Sequence, residues 1–249
     1  MTGGVSGLGR AVAELLLGRG FAVTVTHRTS HEKARAFEAA ARERGQVLLA
    51  LAADAADEGA VRASLARHRE SFGEPWALVH AAGPFLAPRT PFTDVSLERL
   101  RSVLDGNLWS AMLYAREVLA GMRAAGGGRL VFFGFDEAAA LPGWPGRAAY
   151  AAAKSGVASL ARSLAEEEAP HGITVNVVCP GDIRRPLKEA GIAEARRLAG
   201  AEGAAPIGRP GSGEDVARVV GFLLEPDSDF LTGNLIAVDG GLDVIRRRR

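Results

Sequence analysis

Six short apolar runs divide this chain, and a helical stretch separates each from the next. FAVTVT (21–26), QVLLALA (46–52), WALVHAAG (76–83), RLVFFGF (129–135), ITVNVVCPG (173–181) and LIAVDGG (235–241) read as strands. Residues 7–20, 30–44, 57–72, 96–123, 147–169 and 213–225 carry helical periodicity. The strands are continuously apolar rather than alternating, which predicts burial on both faces and a parallel sheet covered by helices. Strand–helix alternation predicts right-handed crossovers and a doubly wound α/β sheet. With no internal repeat and no low-complexity linker, residues 1–249 read as one domain.

Charge narrows the partners. Lys+Arg is 30 and Asp+Glu is 29, a net charge of +1, so neither nucleic acid nor an anionic membrane is an expected partner. The single cysteine, Cys179, excludes an intrachain disulfide framework and a cysteine-based zinc site, and no metal is expected. No apolar run approaches the roughly 18 residues of a membrane helix. The start, MTGGVSGLGR, lacks a secretory pattern, so a soluble cytoplasmic protein is expected.

Thr2 and Gly3, with Ser6, Gly7, Leu8 and Gly9, form a glycine loop opening a helix. Such glycines let backbone approach a pyrophosphate, and the helix N-terminus offers free amides and a positive dipole end. A plain helix-capping turn is the alternative. A phosphate loop should follow a central strand, and here only Met1 precedes it; this predicts that about six residues of a first strand lie upstream of the sequence as written. After the second strand, THRTS (26–30) has no acid to hold a ribose 2′-hydroxyl. Arg28 is either a solvated surface residue or a 2′-phosphate ligand, which favours NADP(H) over NAD(H). Asp54 is either an adenine contact or a turn residue.

YAAAK places Tyr150 and Lys154 four residues apart, on one helix face. With so few tyrosines and lysines, chance produces this spacing in about 2% of such chains. An ammonium beside a phenol favours phenolate, and a phenol so tuned exchanges a proton with a carbonyl or alcohol oxygen.

Together TGGVSGLG, HAAG (80–83) in place of the usual NNAG, Asn107 in DGNLWSAM, YAAAK, VNVVCPG (175–181) and FLTGNLIAVDGG (230–241) make the chain resemble the short-chain dehydrogenase/reductase family along nearly its whole length. The resemblance implies a Rossmann-type seven-stranded sheet and hydride transfer at a nicotinamide. It implies Tyr150 as acid/base, Lys154 on the nicotinamide ribose and lowering the Tyr150 pKa, and Asn107 holding a water in a proton relay. It also implies that Ala81, Ala82 and Gly83 pass close to the cofactor and that Pro180, Gly181 and Ile183 border the nicotinamide. His80, where the family has asparagine, is expected to be structural. The four-residue Tyr–Lys spacing argues for carbonyl/alcohol chemistry rather than the enoyl-reductase branch. A homotetramer built on helices 96–123 and 147–169 is implied by the family alone.

The resemblance fails at the serine that normally orients the substrate carbonyl. Counting from Arg129 reaches Phe135, and counting back from Tyr150 reaches Glu137. Asp136 is a candidate substitute, as in the similar pteridine reductases, and otherwise Asp136 and Glu137 are a solvated loop pair. Residues 184–212 are expected to form a substrate lid. Arg184, Arg185 and Lys188 suit an anionic substrate such as a phosphopantetheine-linked acyl chain, while Arg196 and Arg197 read as a solvated face. Leu141 and Trp144 supply either substrate contact or packing, and the RRRR tail (246–249) reads as exposed. The leading expectation is an NADP-dependent reductase of a small-molecule or acyl-thioester carbonyl, most similar to the 3-oxoacyl-(acyl-carrier-protein) reductases. A ring or pteridine-like carbonyl reductase using Asp136, and a cofactor-binding protein with little catalysis, are the alternatives.

Overall fold

The structure is a computed structural model that describes residues 1–135, 143–200, 205–242 and 245. Six parallel strands form its centre: β1 (Val23–His27), β2 (Leu48–Ala52), β3 (Ala77–His80), β4 (Gly128–Phe133), β5 (Ile173–Pro180) and β6 (Leu235–Val238). β1 pairs with β2, and β3 to β6 pair in chain order. The place between β1 and β3 is held by Thr2, which bridges Thr26 on one side and His80 on the other. The Thr26 amide donates to the Met1 carbonyl at 3.0 Å, and the Thr2 amide to the Val79 carbonyl at 3.0 Å. A two-residue stub thus joins the two groups of strands where the resemblance implies a seventh strand.

Eight α-helices accompany the strands among the described residues: α1 (Gly7–Gly18), α2 (His31–Glu43), α3 (Glu58–Phe72), α4 (Leu97–Leu104), α5 (Ser110–Ala124), α6 (Ala148–Glu168), α7 (Ile192–Arg197) and α8 (Gly213–Leu223). One face of the sheet packs Val25, Val79, Val131 and Val178 against Val12 and Leu16 of α1 and Val216 and Val220 of α8. The other packs Leu78, Leu130, Phe132 and Val177 against Tyr114 and Val118 of α5 and Val157 and Ala161 of α6. Burial on both faces is why β4 and β5 carry continuous apolar runs. Helix starts follow their side chains. The Ser96 hydroxyl accepts from the Arg99 amide, the Asp57 carboxylate from the Ala60 amide, and Ser212 with Asp215 forms a capping box.

The expected single helix over 96–123 is interrupted. Residues Asp105–Trp109 form a π turn between α4 and α5. Such a turn inserts one residue into the helical ladder and re-aims the side chains around it, frequently at functional sites. The side chain it turns inward is Asn107, fully buried.

Candidate active site

A cavity of about 740 Å³ opens at the carboxyl ends of β3, β4 and β5. Its inner wall is Gly3, Ser6, Gly7, Leu8 and Gly9 from the glycine loop, Ala81, Ala82 and Gly83 after β3, and Pro180, Gly181 and Ile183 after β5. The expected strand over 76–83 stops at His80 because the next three residues leave the sheet to line this cavity. The inner wall fits a dinucleotide. Gly3 has φ +63°, and a Cβ there would sit 3.1 Å from the Ala82 backbone. A Cβ at Gly9 would overlap the Gly3 carbonyl oxygen. The N-cap of α1, Ser6, makes no side-chain cap bond, so the first amides of α1 face the cavity without a local partner.

The Gly7 amide is engaged from the segment after β5 instead, donating to the Glu189 carboxylate at 2.6 Å. Glu189 ends a short 3-10 turn, Leu187–Glu189, that is seated by the buried Leu187. A phosphate at this helix start would compete with that carboxylate and be repelled by it. Glu189→Gln is therefore expected to bind NADPH about three- to tenfold more tightly, read by fluorescence titration. Unchanged or weaker binding would show that the contact does not oppose the cofactor.

Tyr150 and Lys154 lie on the cavity-facing side of α6. Buried small residues, Ala151, Ala153, Ala158 and Ala161, let this helix lie close against the sheet. The Lys154 ammonium donates to the Phe133 carbonyl at 2.7 Å and lies 5.9 Å from the centre of the Tyr150 ring. Burial lowers its pKa to about 8. The Tyr150 phenol is raised rather than lowered, because burial outweighs the nearby charge, and the cation that pulls it down is Arg147. The expected lowering of the Tyr150 pKa by Lys154 is not what this geometry produces. Tyr150 is therefore protonated and neutral at pH 7.

Asn107 stands behind the cavity wall. Its amide nitrogen donates to the Val103 and Pro84 carbonyls, and its oxygen points at the Gly83 backbone, where a Cβ would strike it. Thr2 is also buried rather than lining the cavity, and acts by accepting the Ala82 amide on its hydroxyl at 3.0 Å. Arg28 is exposed at the end of β1, outside the cavity lining. Asp54 is likewise outside it. Its carboxylate accepts from the Ala56 amide at 3.0 Å, the turn role weighed for it.

The outer wall is aromatic. Phe85, Trp144 and Phe135 surround Tyr150 at ring-centre distances of 5.0, 6.0 and 6.2 Å. Phe135 puts a buried phenyl ring where counting from Arg129 seeks the serine. Asp136, Glu137 and Leu141 lie outside the described residues, as does the 246–249 tail. Arg147 stacks on Phe85 and Trp144 with its guanidinium carbon 4.4 and 5.0 Å from their centres, a contact the sequence reading missed. Arg89, Arg184, Arg185 and Lys188 also line the cavity, with Arg184 paired to Asp182 at 2.9 Å. Arg196 and Arg197 are exposed, as expected of a solvated face.

His80 is 1% exposed, and burial together with the Lys154 charge lowers its pKa to about 3. In the unfolded chain it protonates near 6.5, so the unfolded state binds more protons throughout the window between these values. Its contribution to stability is complete above pH 6.5 and is lost as the pH falls toward 3. His80→Asn is expected to make the melting temperature less sensitive to pH between about 7 and about 4.5, measured by circular dichroism.

Comparison with known proteins agrees with this architecture. A family model described as "Enoyl-(Acyl carrier protein) reductase" matches residues 3–243. The Bacillus subtilis protein named "Putative oxidoreductase YtkK" is 39% identical over 249 residues, covering 100% of this chain and 97% of the relative. The 3-oxoacyl-(acyl-carrier-protein) reductase FabG of Haemophilus influenzae is 33% identical over 242 residues, covering 97% and 96% of the two chains. A solved structure titled "Structure of putative 3-oxoacyl-reductase from bacillus thuringiensis" superposes with a TM-score of 0.91 at 38% identity, covering 98% of this chain and 97% of that one. Matched over residues 3–243 by the family model and along its whole length by such relatives, the chain belongs to the short-chain dehydrogenase/reductase family of oxidoreductases.

Proposed function

We propose that the chain is an NADP(H)-dependent enzyme that moves a hydride between nicotinamide and a carbonyl or secondary alcohol, with a 3-oxoacyl thioester as the first substrate to test. One observation carries the reading: Tyr150 and Lys154 face the same cavity as the glycine loop and the Pro180–Ile183 turn. The four-residue Tyr–Lys spacing favours carbonyl over enoyl chemistry. When bound, the dinucleotide supplies the hydride. The start of α1 and Lys188 hold its phosphates, and Ile183 borders its ring. In reduction, the Tyr150 hydroxyl gives its proton to the substrate oxygen. Lys154 holds the ribose and keeps a positive charge beneath the phenol, and Asn107 sets the Gly83 backbone against the cofactor. Among the described residues Phe135 donates no hydrogen bond there, so Tyr150 is the described donor that orients the carbonyl, with Asp136 kept as the candidate substitute for the serine. The aromatic outer wall favours a ring carbonyl as the second reading. Exposed Leu104, Trp109 and Met112 along α4 and α5 support a homotetramer, and the whole reading is of a cytoplasmic enzyme.

The test is a titration with NADPH and NADH, followed by acetoacetyl-CoA reduction. NADPH is expected to bind at least tenfold more tightly, and Arg28→Ala to remove most of that difference. Equal affinities would remove the NADP(H) preference. If neither binds, the same titration is repeated on a chain extended upstream by the first strand, and absence of binding there would end the enzymatic reading.

A further inference from the structure

We propose that His80 is a positioning residue that locks the cofactor loops and the Asn107 turn into one register. The proposal rests on the reading above, since it concerns how that site is held.

The imidazole is bonded at both ends. Nδ1 lies 3.1 Å from the Thr2 hydroxyl, and Nε2 lies 3.1 Å from the Ser110 hydroxyl. Their neighbours settle the directions. The Ser110 hydroxyl donates its only proton to the Gly106 carbonyl at 2.8 Å, so it accepts from Nε2–H. The Thr2 hydroxyl accepts the Ala82 amide at 3.0 Å and directs its own proton to Nδ1. The result is a one-way chain: Ala82 amide to Thr2, Thr2 to His80, His80 to Ser110, Ser110 to the Gly106 carbonyl. Only the neutral Nε2–H tautomer completes it. Burial beside Lys154 keeps the ring neutral, and packing on Tyr114 and Phe132 at 5.8 and 6.1 Å fixes its plane.

Each end of the chain belongs to the site. Thr2 begins the glycine loop and holds the Ala82 amide, so Gly3 and the 81–83 segment approach within van der Waals contact. Gly106 lies in the π turn, one residue before Asn107, and packs against Pro84 of the same segment. A sheet strand alone does not link residues 2, 80–84 and 106–110 at this precision. The ring does, because it offers a donor and an acceptor on opposite edges. Asparagine also has one of each, whereas leucine has neither.

Three variants of the full chain test this, read by melting temperature, NADPH titration and acetoacetyl-CoA turnover at saturating NADPH. His80→Leu is expected to weaken NADPH binding about tenfold or more while remaining folded. His80→Asn is expected to restore affinity to within about threefold of wild type. Ser110→Ala cuts only the arm toward Asn107, and is expected to weaken NADPH binding about threefold through the Gly83 backbone, less than His80→Leu does. Nitrogen-15 spectra of the wild type are expected to show a neutral His80 with its proton on Nε2. A His80→Leu protein that binds NADPH like the wild type, a His80→Asn protein that restores nothing, or an Nδ1–H tautomer would each overturn the proposal. Should His80→Leu not fold, Ser110→Ala and the spectra decide. If the wild type binds NADPH but does not turn over the thioester, the substrate assignment fails alone, and affinity and tautomer still test His80. If neither the chain as written nor one extended upstream by the first strand binds a dinucleotide, the function and the proposal both fall.

Discussion

Tyr150→Phe is expected to lower carbonyl reduction by about 10²–10⁴-fold while NADPH remains bound. The substitution removes one hydroxyl and keeps the ring, so the packing against Phe85, Phe135 and Trp144 is retained. What is lost is the proton. Burial keeps the phenol protonated at neutral pH against the pull of Arg147. Parallel measurements of turnover and of NADPH affinity separate chemistry from binding. Wild-type turnover in Tyr150→Phe would remove Tyr150 as the acid.

Gly9→Ala is expected to weaken NADPH binding by about 100-fold or more. A methyl at Gly9 would overlap the Gly3 carbonyl oxygen and sit 3.0 Å from the Gly3 carbonyl carbon and 3.3 Å from the Gly4 Cα. All three are backbone atoms, so no side chain can swing aside. Either the start of α1 or the glycine loop must move, and in the proposed function both would hold the dinucleotide phosphates. Gly18→Ala, at the other end of α1, is the control, because nothing lies within 4 Å of its added methyl. Its NADPH affinity is expected to match the wild type. Equal affinities for the Gly9 and Gly18 variants would show that the loop is not the phosphate cradle.

Most of the architecture was legible in the chain itself. Strands β1 to β6 fall within or beside the apolar runs, because a sheet covered on both faces buries mostly apolar side chains, although polar residues such as Thr24, Thr26 and Asn176 are buried there too. The shared face of Tyr150 and Lys154 follows from helical spacing alone. The inner cavity wall was legible through glycine, the residue required where backbone meets backbone, as at Gly3 and Gly9. These features are local: periodicity reports burial, and residue type reports which dihedrals are open.

Tertiary structure decided the rest, since it turned on partners distant in the chain. The π turn that aims Asn107 is invisible to a periodicity that reads 96–123 as one helix. The Glu189 carboxylate reaches the Gly7 amide across 182 positions, and Thr2 reaches His80 across 78. Asp54 turned to its own loop, while Arg147 found Phe85 and Trp144. Strand order and crossover direction bring such groups together, and side-chain rotamers choose among the partners within reach. Neither is written in the spacing of residues along one element, so the sequence by itself determined the sheet and the shared face of Tyr150 and Lys154, and packing decided what surrounds them.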